Sequence, residues 1–148
     1  GIRLLITAIL LTGVEYFDTR TRTLESATWL DALSVGLFQV LAVFPGASRS
    51  GTTIAGGMIR GLDRPSAARF AFLISGPILL AAGAYQMIDV IRMPGTKEFL
   101  PFLLTGFVTA AVVGWLAIKW LIAYLSKHSL YVFAAYCGIL GIILFIFR

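Results

Sequence analysis

The sequence predicts an all-α integral membrane protein, with several transmembrane helices and one re-entrant helical hairpin. Three observations carry that expectation. Hydrophobic residues make up 59% of the 148 and charged residues only 13%, about half the charged share of an ordinary globular chain. Mean hydropathy is +0.92, and the apolar residues fall in runs of roughly twenty, a length that a bilayer requires and a soluble core does not. Between two apolar runs lies a polar break, Phe44-Pro45-Gly46-Ala47-Ser48-Arg49-Ser50-Gly51-Thr52-Thr53.

Residues 2–17 read as the end of a transmembrane helix that reaches the interface near Glu15 and Asp18. This run is short for a full crossing and lacks the n-region and cleavage site of a signal peptide. The chain is therefore expected to be a piece of a longer protein, cut within or just before a membrane helix. Residues 18–31, with Arg20, Arg22 and Glu25, form a water-exposed connection.

Residues 33–61 are expected to form the hairpin. Its first arm, residues 33–44, is apolar but only about twelve residues long, too short to cross. Pro45 removes a helical donor and Gly46 frees the backbone, so the arm stops there. The second arm is expected to start near Thr52 and run to Gly61, with Gly57 and Gly61 as a small-xxx-small pair that allows close packing. A bent backbone at membrane depth must be buried in protein or line a watery cavity.

Arg60, Arg64 and Arg69 then fall in a loop. Residues 70–91 are expected to span, kinked at Gly76-Pro77, and residues 92–98 to turn. Residues 99–125 form a second span, with Lys119 placed to snorkel near its end. Lys127 and His128 form a short connection, and residues 130–147 are the last span of this single membrane domain.

If the hairpin returns to the side it left, one face collects Arg20, Arg22, Arg60, Arg64, Arg69, Lys119 and Lys127. The other holds Arg3, Arg92, Lys97 and Arg148, and the excess marks the first face as cytoplasmic. The net charge of +5 is accounted for by such arginines facing anionic lipid. No basic cluster interleaved with aromatics lies outside the apolar runs, so no nucleic-acid partner is expected. Cys137 is the only cysteine, which excludes an internal disulfide, and it reads as a small apolar filler.

The polar break suits phosphate. Arg49 offers a planar fork for two phosphate oxygens, which lysine cannot match. Ser48, Ser50, Thr52 and Thr53 add hydroxyls, and the second arm's N-terminus adds free N–H groups and a positive dipole end. Gly46 and Gly51 let the backbone approach a ligand. The spacing Gly46-x-x-x-x-Gly51 matches a nucleotide P-loop, but Thr52 stands where that motif needs lysine. The competing structural reading makes Arg49 a fold lock paired with a distant carboxylate.

Cleavage chemistry is missing from the break. No histidine or acidic pair lies near it, and Glu15, Asp18, Glu25, Asp31, Asp63, Asp89 and Glu98 all read as solvated groups at membrane edges or in loops. His128 reads as interfacial. This segment is expected to grip phosphate and not to cleave it alone.

Residues 36–54, with Pro45-Gly46-Ala47-Ser48-Arg49-Ser50-Gly51 at their centre, resemble the second signature of the undecaprenyl-diphosphate phosphatases, the bacitracin-resistance membrane proteins of bacteria. The similarity continues through Gly56-Gly57-Met58, Ala68, Phe70, Phe72-Leu73 and Pro77. It extends to Gly106-Phe107-Val108-Thr109-Ala110 and Ala117-Ile118-Lys119. The resemblance covers nearly all of this chain but only the C-terminal portion of the family protein.

It implies hydrolysis of undecaprenyl diphosphate to undecaprenyl phosphate and phosphate, which recycles the lipid carrier of peptidoglycan synthesis. It also implies a multi-pass protein of the bacterial inner (cell) membrane, built from two inverted repeats that each carry a hairpin. The family's pocket opens on the outer side. Arg49 and Ser48 take the catalytic places of the motif, and Gly46, Ser50, Gly51, Thr52 and Thr53 the substrate-binding ones. Gln39 stands where the first repeat has a glutamate; it would bond either the ligand or a neighbouring helix. A divalent metal, Mg or Ca, is implied by the resemblance alone. Its glutamate and histidine ligands belong to the family's N-terminal half, the expected partner of this segment beside the bilayer and the polyprenyl diphosphate. Two other readings stay open: a polyprenyl-phosphate transporter or flippase, and a noncatalytic membrane scaffold.

Overall fold

The computed structural model describes residues 2–16, 21–42, 48–92 and 96–146. The expected helix stop at Pro45-Gly46 lies outside them. The described residues form α1 (Ile2–Tyr16), a short 3-10 turn (Leu24–Ser26), α2 (Trp29–Leu41), α3 (Arg49–Ile59), α4 (Arg64–Arg92), α5 (Thr96–Leu125) and α6 (Tyr131–Ile146). Of these, α4 and the Phe99–Leu125 part of α5 are long and apolar enough to cross a membrane. The helices α1, α2 and α6 have 15, 13 and 16 residues.

Caps decide where the helices begin. Thr28 donates its backbone N–H and its hydroxyl to Asp31 Oδ2 at 2.7 and 2.9 Å, so α2 starts at Trp29. Asp63 Oδ1 accepts from Ser66 N at 2.7 Å, and Pro65 sits in the first turn, where a missing donor costs nothing. The helix α4 therefore begins at Arg64, and Arg64 and Arg69 lie on it, not in the loop the sequence suggested. Likewise α3 begins at Arg49, three residues before the expected Thr52. Ser48 is its N-cap and its Oγ accepts from Gly51 N, which draws the hydroxyl-rich stretch into the first helical turn.

The end of α3 corrects a second expectation. Gly61 has φ 82°, Gly61 N donates to Met58 O at 2.8 Å and Leu62 N to Gly57 O at 3.3 Å. This is the paired-bond cap that a left-handed residue makes at a helix C-terminus. Gly61 thus ends the helix, and Gly57 alone serves close packing: a Cβ there would lie 3.1 Å from the Ala67 Cβ on α4.

The helices α2 and α3 run antiparallel. Asp31 meets Arg60 at one end, and further along Ser34 Oγ donates to Gly56 O at 3.2 Å. The arms touch closely, since a Cβ on Gly56 would stand 2.9 Å from both Cβ and Cγ of Phe38. Gly56→Val is expected to destabilise the protein by about 1–3 kcal/mol through overpacking, read as a lower melting temperature in detergent. Gly36→Ala, whose added Cβ meets nothing within 4 Å, should leave the melting temperature unchanged or raise it slightly.

The centre of the fold is α3, buried from Thr52 to Met58 and packed against α1, α2 and α4. Leu11, Ile54, Ala55, Met58, Ala67 and Ala68 lead its core. The helix α1 lies along α6, while α5 rests on α4 and, among its described side chains, only Leu125 is fully buried. Large apolar side chains such as Phe102, Phe107, Trp115 and Trp120 are exposed along α5, as suits a surface in contact with lipid.

Two buried carboxylates pin this frame. Asp31 is 0% exposed and accepts from Arg22 Nη2 at 2.7 Å and Arg60 Nε at 3.0 Å. The Arg22 hydrogen bond holds its carboxyl well below the usual carboxylate range. Glu15, 5% exposed, pairs with Arg64 and accepts from Leu130 N at 3.3 Å, tying α1, α4 and the α5–α6 connection. The sequence reading of Glu15 and Asp31 as solvated groups is therefore overturned. Both stand near helix ends in the chain, and folding brings arginines onto them. His128 stacks on Tyr124 at 4.4 Å between ring centroids.

Candidate functional site

Among the described residues, the singled-out hydroxyls and a cation without an ion-pair partner converge at the N-terminus of α3. Thr52 N donates to Ser48 O at 2.8 Å and Gly51 N to Ser48 Oγ at 3.4 Å. The N–H groups of Arg49 and Ser50 are the orphan donors of the first turn, pointing out of the positive end of the helix dipole. A Cβ on Gly51 would lie 2.9 Å from Ser48 Oγ and 3.5 Å from Leu11 Cδ1. Glycine is thus what lets the cap and the α1 contact coexist.

Two cavities flank this helix end. The first, about 260 Å³, lies between α3 and α4 and is lined by Arg49, Ser50, Thr53, Phe72 and Ser75, with Ala71 and Leu79. The second, about 270 Å³, lies between α3, α1, α6 and the end of α5. Its walls are mostly apolar, among them Leu4, Leu121, Phe133 and Cys137, while Ser48, Ser50 and Gly51 close one side. Ser50 belongs to both. A polar pocket with a guanidinium and an apolar pocket thus share one helix N-terminus.

Arg49 is exposed, and among the described residues its guanidinium has no hydrogen-bond or ion-pair partner. The arginines that do act as locks are Arg22, Arg60 and Arg64. Thr53 is 1% exposed and its Oγ1 donates to Arg49 O at 2.6 Å. Its hydrogen is spent on the backbone, leaving its oxygen toward the polar cavity as an acceptor only. Thr52 is buried and lines neither cavity.

Gln39, 6% exposed on α2, has a buried Oε1 without a hydrogen-bond partner among the described residues. A buried, unsatisfied amide oxygen costs about 1–3 kcal/mol. Gly46 lies outside the described residues. Ser75, contributed by α4, is a polar lining residue that sequence reasoning missed, because one serine inside an apolar span carries no motif.

Among the described residues no group of three His, Cys, Asp or Glu side chains gathers. The donor set at this turn is cationic and hydroxylic, the chemistry of an anion site, and does not fit a divalent metal. What it can do is hold an oxyanion.

The chain is similar to known proteins over nearly its whole length. A family model described as bacitracin resistance protein BacA matches residues 1–143. An undecaprenyl-diphosphatase of Gemmatimonas aurantiaca is 49% identical over 142 residues, which cover 96% of this chain and 52% of that protein. One from a Synechococcus species is 43% identical over 144 residues, 97% of this chain and 50% of that protein. One from Mycolicibacterium smegmatis is 39% identical over 142 residues, covering 95% and 51%. The chain spans about half the length of the curated relatives it matches.

Proposed function

The chain belongs to the bacitracin resistance protein BacA family, and from that premise we propose that it is the diphosphate-binding part of a membrane phosphatase. The whole protein removes the terminal phosphate of undecaprenyl diphosphate, releasing undecaprenyl phosphate and phosphate and so recycling a lipid carrier for cell-wall synthesis. One observation carries the reading: Arg49 stands unpartnered among the described residues, at a helix N-terminus, over a cavity that also holds Ser50 and Ser75. A fixed cation and orphan N–H groups stabilise the charge that gathers on phosphate oxygens as the phosphoanhydride breaks.

Arg49 and Ser48 take the catalytic places, Arg49 clamping the diphosphate and Ser48 shaping the helix end that faces it. Ser50, Gly51 and Gly46 bind alongside, while Thr53, its hydroxyl donating to Arg49 O, holds the backbone of the clamp in place. Thr52 acts from behind by packing the first turn, and Gln39 contributes its amide, the N–H group donating to a ligand oxygen and the unsatisfied Oε1 accepting from water. The apolar cavity on the other side of Ser50 supports a lipid as the substrate. In this proposal α2 and α3 are a re-entrant hairpin of one inverted repeat in a multi-pass inner-membrane protein. The nucleophile, and the ligands of a divalent Mg or Ca, come from residues outside this segment. A scaffold role for Arg49 has no acid to support it among the described residues, and a flippase would need no metal.

The test is phosphate release. The full-length protein in detergent is expected to release phosphate from undecaprenyl diphosphate and to lose that turnover with a chelator. Residues 1–148 expressed alone should show none. Turnover by the isolated segment would mean that the cleaving groups lie within it and that the assignment of roles is wrong.

A further inference from the structure

Two of the cations that this chemistry does not use line one groove. Arg69 lies on α4, which begins at Arg64, and Lys119 on α5, which ends at Leu125. Each is about 8–9 Å inside its helix end. Those ends lie together, since Ala68 and Leu125 share one core cluster. Both cations line a groove of about 430 Å³ between α4 and α5, with Trp115, Ile118 and Ile122 as apolar walls. None of its lining residues lines the two cavities at the α3 N-terminus, so this is a separate place.

The charge here is uncompensated. Lys119 Nζ stands 5.0 Å from the centroid of the Trp115 ring, held by an indole face and not by an acid. Among the described residues neither Arg69 nor Lys119 has an ion-pair partner, and no carboxylate lines the groove. The two arginines that precede Arg69 in the chain are both paired, Arg60 with Asp31 and Arg64 with Glu15.

We infer that this groove is a lipid site in which Arg69 and Lys119 hold the phosphate of an anionic phospholipid while its acyl chains lie along Trp115 and Ile118, which are farther from the helix end than Lys119. Near the end of a membrane helix, a long basic side chain can carry its charge to the headgroups while its stem stays on apolar surface. A guanidinium fork and an ammonium together can satisfy several phosphate oxygens. Basic pockets between membrane helices are suited to anionic headgroups in this way. The apolar wall below the charges selects a lipid over a free anion.

The experiment is native mass spectrometry of the full-length protein in detergent, titrated with phosphatidylglycerol or phosphatidylcholine. The wild type is expected to retain phosphatidylglycerol in preference. Arg69→Gln and Lys119→Gln should each lower that retention about fivefold, and the double variant about twenty-five-fold. Arg69→Lys, which keeps the charge, should retain most of it, and so covers the case in which a glutamine variant fails to fold. Equal retention of the two lipids by the wild type, or undiminished retention by the folded double variant, would overturn the site. Displacement of the lipid by equimolar inorganic phosphate would overturn it too, by making the groove a free-anion site. None of these outcomes touches the diphosphate reading, because the variants leave the α3 N-terminus intact.

Discussion

Arg49→Ala in the full-length protein is expected to lower phosphate release from undecaprenyl diphosphate by about 10²–10³-fold, the usual loss when one preorganised donor to a developing charge is removed. Helix content and melting temperature in detergent should stay close to wild type. Those two expectations belong together, because the guanidinium is exposed and makes no ion pair among the described residues. Its removal takes nothing from the packing of α3, which rests on Thr52 to Met58. Arg49→Lys should fall between, keeping the charge but losing the two-pronged contact with phosphate. Wild-type turnover in a folded Arg49→Ala protein would sink the phosphate-clamp role. A collapse in melting temperature with turnover preserved per folded molecule would return Arg49 to the part of a fold lock.

Much of this was legible in the sequence, for physical reasons that can be named. A run of apolar residues long enough to cross a bilayer has few other uses, so α4 and the greater part of α5 could be read directly. An arginine among hydroxyls and glycines, placed between short apolar arms, pointed to an anion site because insertion of an unused guanidinium costs about 2.5 kcal/mol or more. Helix starts were less legible. Ser48 and Asp63 each cap a helix through a single hydrogen bond, and a hydroxyl or carboxylate in a polar stretch reads equally well as loop. Gly61 matched a packing motif by spacing, but its positive φ makes it a terminator. The buried carboxylates were the least legible feature. Asp31 takes one partner nine residues away and the other twenty-nine residues away, and Glu15 finds Arg64 forty-nine residues on. No local pattern announces such pairs.

The second large effect is therefore expected at a residue with no motif. Asp31→Ala should destabilise the protein by about 2–4 kcal/mol, somewhat less than the loss of a fully sealed ion pair. The carboxylate is 0% exposed, but the Arg22 and Arg60 side chains are 29% and 39% exposed, so both cations can turn to water once it is gone. Two things are lost together: the cap that Asp31 gives Thr28 at the start of α2, and the link from α2 to the end of α3 through Arg60. Arg22 also donates to Ser26 O at 2.7 Å and Arg60 O at 2.9 Å, so the post-α1 connection should loosen as well. Asp31→Asn separates charge from shape. It keeps an oxygen for Thr28 and removes the ion pairs, and should melt between wild type and Asp31→Ala. The pH dependence has a definite sign. Because the folded carboxyl titrates below its ordinary 3.8, its stabilisation is fully present above that value and is lost as pH falls toward the depressed one. The gap in melting temperature between wild type and Asp31→Asn should be constant down to about pH 5 and narrow only below 3.8. A gap that closed between neutral pH and about pH 5 would mean that Asp31 is not the buried, arginine-held carboxylate described here. In turnover assays the same variants should lose activity only as they lose fold, which distinguishes an anchor at Asp31 from the proposed phosphate clamp at Arg49.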